Sequence, residues 1–86
     1  MRTILLTKDN ELGVQLVSHY SLLSNYVFYH YLSSHNVVDM IDVDLELTES
    51  IDREVMIVVV YHNECLLEYV TNYYKNKPIE VEVLDE

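Results

Sequence analysis

Carboxylates occupy alternate positions in the middle of the chain, at Asp42, Asp44 and Glu46. Apolar residues separate them, which predicts a half-buried strand whose polar face carries the acids about 6.7 Å apart. Such a row can be a solvated face, or it can dock on a basic protein by imitating nucleic-acid phosphates. A divalent cation needs oxygen ligands converging to about 2.0–2.6 Å, which a flat row does not supply alone. We therefore expect no metal and keep the other two interpretations open.

Histidine and cysteine are not spaced for catalysis. The histidines are His19, His30, His35 and His62, and they form no H-E-x-x-H motif. The segment His62-x-Glu64-Cys65 is similar to the H-x-E of zinc deaminases, but the P-C-x-x-C half is absent. We expect His19 and His30 to be partly buried structural residues and Cys65 to be a packing residue in the first turn of a helix. The chain is accordingly predicted to have no enzymatic activity, metal or cofactor.

Charge is the most one-sided property of the sequence. Fifteen acids against five bases give a formal net charge of -10, and no Lys or Arg lies between Asp9 and Asp52. A charge of about 2–8 keeps a small domain soluble, and a larger one destabilises it by self-repulsion. Nucleic-acid phosphates and anionic lipid headgroups would be repelled, so direct binding to either is not expected. The excess acid instead predicts a basic protein partner.

Composition also indicates the number of domains and the cellular compartment to expect. With 86 residues, one Gly, one Pro and no flexible linker, the chain predicts a single domain over residues 1–86. The single Cys65 cannot form an internal disulfide, which favours a reducing, cytoplasmic compartment. The N-terminal apolar run is too short for a signal-peptide core, and no run approaches the roughly 20 apolar residues of a membrane span.

Apolar spacing predicts a strand and then a long helix in the first half of the chain. A short aliphatic run makes residues 3–7 a buried strand, and Asp9 or Asn10 is the expected helix N-cap. Apolar residues then recur at helical spacing, which predicts a helix over 12–34. In the alternative the helix breaks near residue 24 and residues 26–32 form a strand, because Tyr, Val and Phe favour extended structure.

The second half predicts two strands, a helix and a final strand. Strict alternation makes residues 40–47 a strand with an acidic face, and residues 54–61 are apolar on both sides, as in a central strand. Asn63 is the expected N-cap of a helix that ends before Pro78. Residues 79–84 alternate apolar and acidic side chains, as in an edge strand.

This β-α-β-β-α-β order resembles the ferredoxin-like fold, an α+β arrangement with a four-stranded antiparallel sheet and two helices on one face. The resemblance implies that the acid-alternating strands over 40–47 and 79–84 lie at the sheet edges, where charge discourages aggregation. It also leaves one apolar face of the strand over 54–61 uncovered. We therefore expect a homodimer.

The tyrosines supply a second candidate interface. Eight tyrosines occur without any tryptophan, and Tyr is enriched at protein interfaces. A helix over 12–34 would be about 34 Å long and would extend beyond strands of about 26 Å, leaving its aromatic end uncovered. The predicted partner-binding residues are Asp42, Asp44, Glu46, Glu49, Tyr26, Tyr29 and Tyr31.

In size and composition the chain resembles the small acidic antagonists that bacteriophages and other mobile elements direct against host enzymes. The resemblance implies a non-enzymatic binding module that inhibits a nucleic-acid-binding host protein by charge mimicry. The alternative is a self-associating ferredoxin-like regulatory or structural domain, with or without a small ligand, whose acid is a solvated coat. Mimicry needs carboxylates on one continuous surface, whereas a coat spreads them evenly.

Overall fold

Helices and strands alternate along the chain in the computed structural model, which describes residues 2–34 and 36–84. The elements are β1 (Arg2–Thr7), α1 (Asn10–Leu22), β2 (Tyr26–Leu32), α2 (Val37–Leu47), β3 (Val55–Tyr61), α3 (Glu64–Tyr74) and β4 (Glu80–Val83). The four strands are all parallel, in the order β2-β3-β1-β4. The predicted antiparallel ferredoxin-like sheet is therefore wrong, because a helix joins every pair of successive strands, including α2 between β2 and β3, and each strand then runs in the same direction.

The direction of each crossover decides which face of the sheet its helix covers. The chain moves one way across the sheet from β1 to β2, and the other way from β2 to β3 and from β3 to β4. Right-handed crossovers then place α1 on one face and both α2 and α3 on the other. Packing agrees, since α1 covers Leu5, Met56 and Val58 while α2 and α3 cover the side of Ile57 and Val59.

Strand β3 is the predicted central strand, buried along its whole length. Gly13 lets α1 approach β3 closely, because a Cβ at that position would lie 2.6 Å from Cγ2 of Val60. Since α1 covers Met56 and Val58, this strand needs no second subunit to bury its other face. The uncovered face that motivated the predicted homodimer does not exist.

The aromatic segment is a strand, as in the alternative prediction, so the helix predicted over 12–34 is wrong beyond Leu22. Ser24 has a φ of 64°, in the left-handed region that ends many helices. The N–H groups of Ser24 and Asn25 donate to the carbonyls of Ser21 and Tyr20. The β-branched and aromatic residues that follow then form an extended edge strand.

The acidic segment is a helix, so the strand predicted over 40–47 is wrong. Alternation in this segment fits a strand locally, but the buried residues recur every three or four positions: Val37, Val38, Ile41, Asp44 and Leu45. The predicted strand began at Met40 and therefore left out the two valines that complete the buried stripe. As a result β2, rather than this segment, forms the edge of the sheet opposite β4.

Of the predicted caps, Asp9 rather than Asn10 caps α1, and Asn63 caps α3. Asp9 Oδ1 accepts hydrogen bonds from the N–H groups of Glu11 at 2.9 Å and Leu12 at 3.3 Å. Asn63 Oδ1 accepts one from Leu66 at 3.0 Å. Each carboxyamide or carboxylate oxygen satisfies donors that a helix start leaves unpaired.

Candidate protein-binding surfaces

The carboxylates predicted to share one face leave α2 in different directions. Successive helical residues differ by about 100°, so Asp44 lies nearly opposite Asp42 and Glu46. Asp44 is buried, Asp42 is half-buried, and Glu46 and Glu49 are exposed. The flat acidic row predicted for a strand is therefore absent, and the four carboxylates lie in different environments.

Asp44 attaches α2 to the edge strand β2. Its Oδ2 is paired with Nε2 of His30, and the two side chains are only 10% and 14% exposed. His30 is thus the partly buried structural histidine that the sequence predicted. His19, for which the same was expected, is exposed on α1 beside the ring of Tyr20.

Asp42 attaches α2 to α3. It accepts hydrogen bonds from the hydroxyls of Tyr73 at 2.8 Å and Tyr74 at 2.7 Å, and the latter also lies 3.3 Å from the carbonyl of Val38. Burial, followed by the bond to Asp42, raises the pKa of Tyr74. The bond to Asp42 is the main cause that raises the pKa of Tyr73. Both hydroxyls therefore remain protonated donors at neutral pH.

The outward side of α2 carries two parallel strips of residues. An acidic strip consists of Asp39, Asp42 and Glu46, and an apolar strip consists of Met40, Val43 and Leu47, which are 43%, 53% and 68% exposed. Residues spaced by three and four form one line along a helix. The acidic strip lies toward α3, because Asp42 contacts Tyr73. The apolar strip lies toward β2, on the side of Asp44.

Tyrosines of α3 extend the acidic strip. Tyr69 is 39% exposed, and its ring centroid lies 6.5 Å from that of Tyr73. Both Tyr69 and Asp39 are close enough to Tyr73 to raise its pKa further. Lys77 lies over the Tyr73 ring at 4.5 Å from the centroid. Tyr69, Tyr73 and Lys77 were not among the predicted partner-binding residues, because Asp42 and Glu46 were predicted to lie on a strand and not on a helix beside α3.

The three tyrosines predicted for partner binding line the edge strand β2 and do not lie on an overhanging helix. Tyr26, Tyr29 and Tyr31 are 39%, 36% and 55% exposed. Tyr26 lies on the α2 face beside Phe28, with ring centroids 5.4 Å apart. By strand alternation Tyr29 and Tyr31 lie on the α1 face.

Contacts with neighbouring elements hold the two tyrosines of the α1 face. The Tyr29 hydroxyl donates to Asn10 Oδ1 at 2.5 Å, and burial, with a smaller contribution from Tyr31, raises its pKa. The Tyr31 ring meets His62 edge-on, with centroids 4.3 Å apart. Beside them α1 and β2 enclose a recess of about 280 Å³ lined by Val14, Val17, Ser18 and Tyr29.

The side of the molecule formed by most of α1 and by β2 has few charged residues. Residues 12–38 contain no Asp, Glu, Lys or Arg, and they include most of α1 and all of β2. We call the surface formed by residues 12–22 of α1 and by β2 the uncharged flank; Glu11, in the first turn of α1, lies just outside it. Among the described residues, exposed carboxylates occur at the start of α1 and on α2, α3, β4 and the loop before β3: Asp9, Glu11, Asp39, Glu46, Glu49, Asp52, Glu54, Glu64, Glu68, Glu80 and Glu82. The acid is thus neither one cluster nor an even coat.

Chemistry of other kinds has little support from the described residues. Within 2–34 and 36–84, no group of at least three His, Cys, Asp and Glu side chains could hold a metal ion. Cys65 is exposed, and is not the packing residue expected from its place in the helix. His35 lies outside the described residues. In the same part of the chain, no helix has the length and apolar character needed to cross a membrane.

Comparison of the chain with protein-family models, with curated proteins and with solved structures finds no significant match in any of the three. The function must therefore be argued from the surfaces themselves.

Proposed function

We propose that this chain is a protein-binding module without enzymatic activity, and that its acidic strip contacts a basic protein partner. The observation that carries the proposal is the line of carboxylates at Asp39, Asp42 and Glu46 on a helix that has no Lys or Arg. Two tyrosine hydroxyls hold Asp42 in place, so the strip is partly ordered before binding. Carboxylates steer a basic partner, and exposed Tyr69 adds a residue type favoured at interfaces.

The partner class we propose is a protein that binds nucleic acid. Such proteins carry Lys and Arg to neutralise phosphates, and a line of carboxylates competes for the same side chains. Inhibition by charge mimicry is the specific form of the proposal, as in a bacteriophage or mobile-element antagonist. The exposed free thiol of Cys65 supports action in a reducing, cytoplasmic compartment.

The test compares two variants that remove equal charge from different surfaces. The strip variant is D39N/E46Q/E49Q, in which Glu49 follows the acidic strip just beyond the end of α2. The matched control is E68Q/E80Q/E82Q, and Asp42 is kept because it holds α3. Each protein is used to capture basic proteins from a lysate, and association with the purified captured protein is then timed at two salt concentrations. We expect slower association and a flatter salt dependence for the strip variant alone.

Two outcomes would contradict the proposal. Equal capture and equal salt dependence for all three proteins would mean that the acid is only a solvated coat. An equal loss for both variants would mean that net charge matters and the strip does not.

Self-association is a second candidate function, and one observation favours it. Strand β2 is an uncharged, aromatic edge strand in a chain whose net charge is -10. A regulatory or structural domain that pairs with itself would use such an edge.

A further inference from the structure

Strand β2 has backbone hydrogen-bonding groups that the sheet does not use. The Tyr26 N–H donates to the Glu54 carbonyl at 3.0 Å, and Tyr26 is in register with Val55 of β3. In a parallel pair, alternate residues direct both their N–H and C=O toward the neighbouring strand, and the residues between them direct both away. We call the latter the outward residues of β2; they are Val27, Tyr29 and Tyr31. No further strand lies beyond them among the described residues.

The edge formed by β2 lacks the features that usually prevent pairing with another chain. It is seven residues long and contains no charged residue and no proline. Proteins commonly protect such an edge with charges, proline, a bulge or a very short strand. An open edge of this kind is a template for adding another strand.

The distribution of charge over the surface determines where a second copy can approach. Two molecules that each carry a formal charge of -10 repel each other over most of their surfaces. Across the uncharged flank, residues 12–38 bring no carboxylate to the contact, and α1 carries a single carboxylate, Glu11, next to the Asn10 that contacts Tyr29. The open edge therefore lies on the side where repulsion between two copies is weakest.

We propose that two copies of this chain pair through β2, antiparallel, about a two-fold axis at Tyr29. Tyr29 then lies opposite Tyr29 of the second copy, and Val27 lies opposite Tyr31. Every outward residue donates one hydrogen bond and accepts one, so the register uses all the free groups of the edge. The side-chain pairs are aromatic with aromatic and β-branched with aromatic, which are favourable across antiparallel strands.

The same axis accounts for two apolar features beside β2. The apolar strip of α2 lies on the β2 side, so the two-fold axis brings it toward the apolar strip of the second copy. On the opposite face, the recess lined by Val14, Val17, Ser18 and Tyr29 lies along the joint between the two sheets. The acidic strip, which faces α3, stays exposed, and the dimer is thus independent of the proposed contact between that strip and a basic partner.

The experiment measures mass by light scattering over a range of concentrations. Y29E places two like charges opposite each other on the axis. Y69E is the matched control, the same change at a residue of similar exposure on α3, 39% against 36%. V43E/L47E adds charge to the apolar strip at exposed helical positions, where folding is least at risk. Circular dichroism checks that each variant is folded.

We expect the unmodified chain and Y69E to have twice the 10.2 kDa monomer mass. Y29E should be a monomer, and V43E/L47E should raise the dimer dissociation constant at least tenfold. A monomeric unmodified chain, or a folded Y29E that remains dimeric, would overturn the proposal. If Y29E does not fold, the result for V43E/L47E decides, and an unchanged dissociation constant would overturn the proposal.

Discussion

The two edge strands of this sheet differ in length, charge and aromatic content. Strand β4 is four residues long and alternates Glu80 and Glu82 with valines. Strand β2 is seven residues long, has three exposed tyrosines and carries no charge. Acid on a short strand discourages edge-to-edge pairing, whereas β2 has no such protection. Where one edge of a sheet is protected and the other is not, the unprotected edge is the candidate for association.

The two edges of the sheet are also connected to α2 differently. On the β2 side, the nearly buried pair of His30 and Asp44 joins the strand directly to the helix. On the β4 side, the contact runs through α3, whose Tyr74 donates to Asp42. Both connections end on α2, two residues apart, which explains why neighbouring carboxylates of this helix have different roles.

Removing the β2 connection should have the largest effect on stability. Replacing either His30 or Asp44 by Ala leaves the other polar group buried without its partner, and we expect a loss of about 3 kcal/mol. Urea denaturation followed by circular dichroism measures it. Asp39→Ala, at an exposed position of the same helix, is the control and should leave the unfolding midpoint nearly unchanged. Equal effects at Asp39 and Asp44 would mean that the pair does not hold β2.

Removing the connection on the β4 side should lower the free energy of unfolding by less than removing the pair of His30 and Asp44. Tyr74→Phe loses the hydrogen bonds to Asp42 and the Val38 carbonyl but keeps the buried ring, so we expect a loss of about 1–2 kcal/mol. Asp42 still accepts a bond from Tyr73. Denaturation of the two proteins at neutral pH measures the difference.

The same substitution predicts a pH dependence. Because folding raises the pKa of Tyr74, its contribution to stability is fully present below the ordinary tyrosine pKa of about 10 and is lost as pH rises further. The stability advantage of the unmodified chain over Tyr74→Phe should therefore shrink above about pH 10. A difference that stays constant from neutral pH into that range would show that the hydroxyl is not held in its protonated form.

Neutralising the protected edge should have the smallest effect. For E80Q/E82Q we expect a change in unfolding free energy within about 0.5 kcal/mol, because both side chains are exposed. Association should also be unchanged, since β4 takes no part in the proposed pairing. An increase in molecular mass by light scattering for E80Q/E82Q would indicate that only charge prevents β4 from pairing with another copy. That result would weaken the contrast between the two edges.

Much of the central sheet could be predicted from the sequence. Residues 3–7, 54–61 and 79–84 were predicted as strands, Asn63 was predicted as an N-cap, and Asp9 was one of two candidates for the cap of α1. Aliphatic runs and capping side chains act over a few residues, so a single sequence contains the information needed. The parallel direction of the strands could not be predicted in the same way, because it depends on the additional helix α2 between β2 and β3.

Helix α2 was not predicted because several of its positions reverse the usual pattern of burial: an acid is buried and apolar residues are exposed. Asp44 is buried because His30 pairs with it, while Val43 and Leu47 are exposed on the solvent side. Together these positions imitate the alternation of a strand. Local rules of this kind fail most often where a surface has a function. The exposed apolar strip could have been found from Val37 and Val38, which establish the helical register.

Amide hydrogen exchange of β2 tests most directly whether this edge binds a second copy. If two copies pair through β2, the N–H groups of Val27, Tyr29 and Tyr31 should exchange more slowly as protein concentration rises through the dimerisation range. Those of Phe28 and His30, which already face β3, should exchange slowly at every concentration. Fast exchange at the three outward residues, independent of concentration, would contradict pairing through β2.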